Sequence, residues 1–286
     1  MAEYVDRYWN SADGIKLHYR DYAGPLERPT ILCIPGLTRN ARDFEPVADR
    51  YAGEWRVLSI DLRGRGLSGH DPRPINYAPP VYVADIVKFL DQLGIADAVF
   101  VGTSLGGLCT MLLAASDNER IAGALLNDIG PEIDQAGVDR IGGYVGQPAR
   151  FASWKAAISA VAEAHRSTYP SWHAHEWERY VRRICREDQG AIVFDYDVRI
   201  ADNFQRAAGK PQINAWPFYR ALEGRPVTIL RGDLSDLLSD STAQAMATAL
   251  SDAELVTLPD VGHAPTFDEP ESLAAVDRLL ERVLAR

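Results

Sequence analysis

The sequence predicts an α/β fold, a doubly wound and mostly parallel sheet with helices on both faces. Three observations point to it. Short apolar runs bounded by glycine, proline or aspartate recur between residues 15 and 126. Segments of helical periodicity fall between them, and the same alternation resumes at residue 227. Runs of that kind suit strands covered on both faces, as in a parallel sheet.

The elements follow in order. Residues 15–22 alternate apolar and polar side chains, a half-buried strand. Residues 30–34 and 57–60 are continuous apolar runs, ending at Pro35-Gly36 and at Asp61-Leu62-Arg63-Gly64. Residues 82–93 place Tyr82, Ile86, Phe89, Leu90 and Leu93 at helical spacing, with Gly94 as terminator. Residues 98–102 form another apolar run. A helix of small and apolar residues follows Ser104 to about residue 115, and then a strand at 122–126. After residue 227 come a strand (227–230), a helix (242–250), a strand (254–258) and a helix (270–284). Pro270 suits the first helical position, and Leu273, Val276, Leu280, Val283 and Leu284 form that helix's apolar stripe.

Residues 130–217 read differently. They hold Trp154, Trp172, Trp177 and Trp216, four of the six tryptophans, and lack clear strand runs. Val181, Tyr180 and Ile184 sit at helical spacing. The expectation is a mostly helical insertion, residues 131–217, between core segments 1–130 and 218–286. Its aromatic surplus suits a lid over an apolar pocket, with Trp154, Tyr169 and Trp216 expected to line it, and also suits a small core of its own.

Composition narrows the function. A hydrophobic share of 47% and a charged share of 24% are those of a soluble globular chain. The formal net charge of −10 disfavours nucleic acid and anionic membrane surfaces, leaving a small molecule as the expected partner. Cys33, Cys109 and Cys185 do not make a disulfide framework. The acid-bearing N-terminal residues lack the apolar region of a secretory signal, and no stretch has the roughly 20 apolar residues that span a bilayer, so the cytoplasm is expected.

The sharpest motif is Gly102-Thr103-Ser104-Leu105-Gly106, a G-x-S-x-G set where an apolar strand becomes a helix. A strand-to-helix turn this tight leaves no room for side chains two residues before or after the serine, and it lifts the hydroxyl to the top of the sheet. A serine hydroxyl needs a base to take its proton. His263, in the loop after the last expected strand, is the candidate, since that loop faces the same edge as Ser104. The base needs an orienting carboxylate. Asp236 is favoured, in the loop after residues 227–230, with Asp233 and Asp128 as alternatives. Backbone amides of the Pro35-Gly36-Leu37 turn and of Leu105 could bind a developing oxyanion. The glycines of residues 61–69 lack the G-x-G-x-x-G spacing of a dinucleotide loop and read as a structural turn, so no cofactor is expected. His173 and His175 are two residues apart and do not share a helix face, so no metal site is expected there either.

Taken together, Pro35-Gly36, the Asp61-x-Arg63-Gly64-x-Gly66-x-Ser68-Gly69 loop, Gly102-x-Ser104-x-Gly106 and Gly262-His263 resemble the α/β-hydrolase superfamily over nearly the whole chain. The resemblance implies eight core strands, a helical cap, a triad of Ser104, Asp236 and His263, and the Leu37 and Leu105 amides as oxyanion hole. Members usually carry His-Gly where this chain has Pro35-Gly36. The serine nucleophile argues against the haloalkane dehalogenase and epoxide hydrolase branches. The expected reaction is hydrolysis of a small, largely apolar carboxylic ester or lactone through an acyl-enzyme. A carbon–carbon bond hydrolase or a thioesterase with the same residues, and a non-catalytic ligand-binding relative, are the alternatives.

Overall fold

Apolar runs without alternation need cover on both sides, and the computed structural model provides it. The structure describes residues 1–207 and 214–286; residues 208–213, within the 131–217 insertion, lie outside the described residues. Eight strands form one sheet among the described residues: β1 (Val5–Asn10), β2 (Lys16–Tyr22), β3 (Thr30–Ile34), β4 (Val57–Asp61), β5 (Ala98–Thr103) and β6 (Ile121–Asn127), then, after the insertion, β10 (Val227–Gly232) and β11 (Ala253–Leu258). Their order is β1-β2-β4-β3-β5-β6-β10-β11. Only β2 runs against its neighbours, and the pairings from β4 across to β11 are parallel. Every residue of β3, β4, β5, β6 and β10 is buried, whereas edge strands β1 and β11 are largely open.

Helices cover both faces. Beside the sheet are α1 (Glu45–Tyr51), α2 (Pro79–Leu93) and α3 (Leu105–Asp117). Residues 131–217 contribute α4 (Gln135–Tyr144), α5 (Trp154–His165), α6 (Ala174–Ile184) and α7 (Ile200–Ala207); α8 (Trp216–Arg220) straddles their end, followed by α9 (Asp240–Ala249) and α10 (Pro270–Leu284). Residues of α2, α3, α8 and α9 share one apolar cluster, and those of α1 and α10 share the other. Helix α10 buries Val276, Leu280 and Val283 as its periodicity predicts. Leu279 joins them in place of Leu284, which sits in the final turn and is exposed. Each such side chain contributes about 1.5–3 kcal/mol by leaving water.

Strand β1 and helix α1 carry no periodic signal. Strand β1 buries only Trp9, so it carries no alternating signal, and α1 spans just seven residues. The insertion also differs from its expectation. It carries a three-stranded antiparallel sheet, ordered β7 (Arg150–Phe151), β9 (Ala191–Phe194), β8 (Cys185–Asp188). The β8–β9 hairpin turns through Gln189 and Gly190, both at positive φ, which matches the strands' twist. Strands of two to four residues, one ending Arg186-Glu187-Asp188, leave no apolar run to read. Among the described residues no helix is long and apolar enough to cross a membrane.

One topological feature locates the site. From β3 the chain lays β4 on one side, then crosses to place β5 on the other. Connections leaving the carboxyl ends of β3 and β5 therefore diverge, and the crevice between them is where open α/β sheets bind ligands.

Candidate active site

Ser104 stands in that crevice, between β5 and α3. Its backbone is left-handed (φ 51°, ψ −112°), a conformation a non-glycine residue holds only when its surroundings impose it. They do so through two glycines. A Cβ on Gly106 would lie 2.1 Å from the Ile34 carbonyl oxygen, and one on Gly102 would lie 2.6 Å from the Gly106 backbone. The first turn of α3 is thus pressed onto the end of β3, and Ser104 is carried at the tip.

His263 arrives from the loop after β11. Its Nε2 lies 3.0 Å from Ser104 Oγ, and its Nδ1 lies 2.8 Å from Asp128 Oδ2. A carboxylate only accepts, so Nδ1–H donates to Asp128, and Nε2 is left to accept the serine proton. Asp128 is fully buried at the end of β6. It also accepts from Gly232 N–H (3.0 Å) and Ser235 Oγ–H (2.6 Å).

Asp236, the carboxylate favoured from the sequence, is not the partner of this histidine. It is held by Arg140 of α4 through Nε (2.5 Å) and Nη2 (2.7 Å), and that guanidinium keeps its carboxyl below the usual carboxylate range. Asp233 lies in the turn closing β10, where its Oδ1 accepts from Val261 N–H at 3.4 Å. The loop after β10 therefore supplies Gly232 and Ser235 as donors to the carboxylate rather than the carboxylate itself. A signal for Asp128 was present. Strands β5 and β6 are neighbours, Thr103 pairs with Asn127, and Ser104 and Asp128 are the next residue on each. Both end an apolar run.

The turn after β3 faces the same point. Gly36 O accepts from Arg39 N–H (3.2 Å), closing the turn over Leu37 and Thr38. The Leu37 carbonyl accepts two bonds from buried Arg65, Nε at 2.9 Å and Nη2 at 2.7 Å. Arg65 also donates to the Arg63 carbonyl and to Tyr82 Oη, so the turn is clamped from beneath. Leu105 is the first residue of α3, where an N–H has no partner within its own helix. The loop of residues 61–69 is a structural turn. Arg63 binds Asp13, Asp71 and Asp85, and Asp61 binds His18 and the Ala41 and Leu67 amides.

A cavity of about 280 Å³ opens above Ser104 and His263. Its walls include Gly36, Leu37 and Arg39 from the β3 turn, and Tyr144, His165, Tyr169 and Tyr180 from the insertion. Of the three aromatics expected in the pocket, Tyr169 lines it, and its hydroxyl donates to the Ala264 carbonyl (2.8 Å). Trp154 and Trp216 do not. Arg182 packs over the Trp154 ring at 4.2 Å, away from the cavity. Trp216 opens α8, which packs on α3, and its Nε1–H donates to Glu132 (2.6 Å). Trp172, Trp177, Tyr169 and Tyr180 instead form a ring cluster, with Tyr169 and Trp172 stacked 3.9 Å apart. His173 and Glu176 form a capping box that starts α6, which accounts for the histidine-rich segment. Among the described residues no set of three or more His, Cys, Asp or Glu side chains is arranged to hold a metal ion.

The strand order and the strained serine at the β5–α3 turn define an α/β-hydrolase. Residues 31–276 match the model of the alpha/beta hydrolase family, and the chain belongs to that family. A 3-hydroxybutyrate-oligomer hydrolase of Cupriavidus necator is 33% identical over 269 residues, covering 91% of this chain and 90% of that protein. A 2-(acetamidomethylene)succinate hydrolase of Mesorhizobium japonicum is 27% identical over 258 residues, covering 88% of each. The crystal structure of an alpha/beta hydrolase from Novosphingobium aromaticivorans superposes with a TM-score of 0.95 at 53% identity, covering 99% of both chains. Such relatives support a hydrolase.

Proposed function

We propose that this chain is a serine hydrolase that cleaves a small carboxylic ester through an acyl-enzyme. Ser104 attacks the ester carbonyl, His263 takes the hydroxyl proton and returns it to the leaving alcohol, and Asp128 holds the imidazole tautomer. The Leu37 and Leu105 amides receive the charge that develops on the carbonyl oxygen, each such donor being worth about 3–4 kcal/mol of barrier. Water activated by the same histidine then releases the acid. The observation that carries this reading is the unbroken run of hydrogen bonds from Ser104 Oγ through His263 to buried Asp128. Residues 131–217 are proposed to cap the cavity.

An ester is favoured over the other bonds by one finding. The relative that is 33% identical is named for hydrolysing 3-hydroxybutyrate oligomers, and units of a hydroxy acid are joined by ester bonds. Beside its apolar lining the cavity wall carries two charged groups, Arg39 and Asp43. Labelling with a fluorophosphonate tests the reading. The parent should lose activity and carry the label at Ser104, and Ser104→Ala should neither label nor turn over 4-nitrophenyl acetate. A variant that labels as strongly as the parent would remove Ser104 from the role.

A further inference from the structure

The proposed ester hydrolysis makes no use of the most conspicuous charge in the cavity. Arg39 lies in the turn after β3, three residues from Gly36. The point where Gly36 would carry a Cβ is 3.5 Å from Arg39 Cγ and 3.7 Å from Ser104 Cβ, so the arginine stem starts beside the nucleophile. The side chain lines the cavity and is only 18% exposed. Its guanidinium is held by a single-toothed contact, Nη2 to Asp43 Oδ1 at 2.7 Å, and lies 4.3 Å over the Tyr180 ring. Its Nε–H meets no acceptor among the described residues.

A guanidinium fork matches a carboxylate with two parallel hydrogen bonds, and the match gains strength where water is excluded. Here the fork is largely desolvated, permanently charged and engaged at one tooth. His165, which also lines the cavity, is pushed down to about 4, first by burial and then by the charges of Arg140 and Arg39, so it stays neutral at neutral pH. Asp43, the carboxylate that lines the cavity, is already bound to Arg39.

We infer that Arg39 binds a carboxylate on the substrate, so that the preferred ester carries its own negative charge a few bonds from the carbonyl that Ser104 attacks. The inference rests on the ester-hydrolase reading for its choice of substrate, but not for its test. Calorimetric titration of the intact protein with 3-hydroxybutyrate and with the uncharged 3-hydroxybutyramide reads binding alone. The parent should bind the acid at least tenfold more tightly than the amide. Arg39→Gln should erase that preference, and Arg39→Lys, which keeps the charge without the fork, should keep part of it. Kinetics with monomethyl and dimethyl glutarate should follow suit: kcat/KM of Arg39→Gln falls at least tenfold more on the charged ester than on the neutral one. Equal binding of acid and amide by the parent, no binding of either at millimolar concentration, or equal losses on both ligands in Arg39→Gln, would each overturn the inference. Failure of Ser104 to label would overturn the ester-hydrolase reading and leave the binding result standing.

Discussion

The carboxyl edge of the sheet and the insertion above it fix their side chains by different means. At the sheet edge the backbone does the positioning. Ser104 is held by two glycines that let a helix touch a strand, and Asp128 by strand register. In the insertion, side chains hold side chains, through the Trp172, Trp177 and Tyr180 rings, and Arg140 ties α4 to Asp236 of the loop after β10. Backbone positioning needs particular residues at particular spacings, and those leave marks in a sequence. Side-chain packing accepts many solutions and leaves few.

Variants can break this contrast. The largest effect is expected at the carboxylates. Asp128→Asn should lower kcat by on the order of 10⁴, as removal of the tautomer-fixing acid does in serine hydrolases, while Asp236→Asn stays within about tenfold; turnover of 4-nitrophenyl acetate measures both. The reverse pattern would return the role to the loop after β10. Next comes the clamp. Arg65→Met frees the Leu37 carbonyl and should cost about 10²-fold in kcat with little change in KM, the signature of a disturbed oxyanion donor. A lowered melting point with kcat per active site unchanged, counted by fluorophosphonate labelling, would mean that Arg65 serves the fold alone.

In the insertion the effects should be milder. His165 resists protonation when folded, from 6.5 down to about 4. Below pH 6.5 the unfolded chain takes a proton that the folded chain refuses, so stability falls as pH drops through that window, by roughly 1–3 kcal/mol. Urea midpoints at pH 7 and pH 4.5 should therefore lie closer together in His165→Gln than in the parent. Smallest of all, Trp154→Leu and Trp216→Leu should change kcat/KM by less than about threefold, since neither ring borders the cavity, with Tyr169→Leu costing visibly more in the same assay.

The same contrast decides what could be read from the sequence. Gly102, Ser104 and Gly106 were legible because only glycine permits that turn, and the buried strands because parallel sheets demand unbroken apolar runs. Asp128 was visible but outranked. Several loops at the right edge carry an aspartate, and the choice among them depends on Arg140, which reaches Asp236 across 96 residues. The pocket walls were least legible. Aromatic content flagged the insertion, but whether a ring faces the cavity or a neighbouring ring is set by packing that spans several helices. Strands β7, β8 and β9 were missed because they are too short to show a period.

The placement of Asp128 also bears on how the site comes into being. Ser104 and Asp128 each follow one of two adjacent, in-register strands, which parallel pairing keeps about 4.8 Å apart. Along the chain the imidazole lies far from both, with 134 residues between Asp128 and His263. His263 is brought to Ser104 by the loop that follows β11, the strand paired with β10. The hydrogen-bonded run from Ser104 Oγ through His263 to Asp128 therefore needs β11 in its place beside β10.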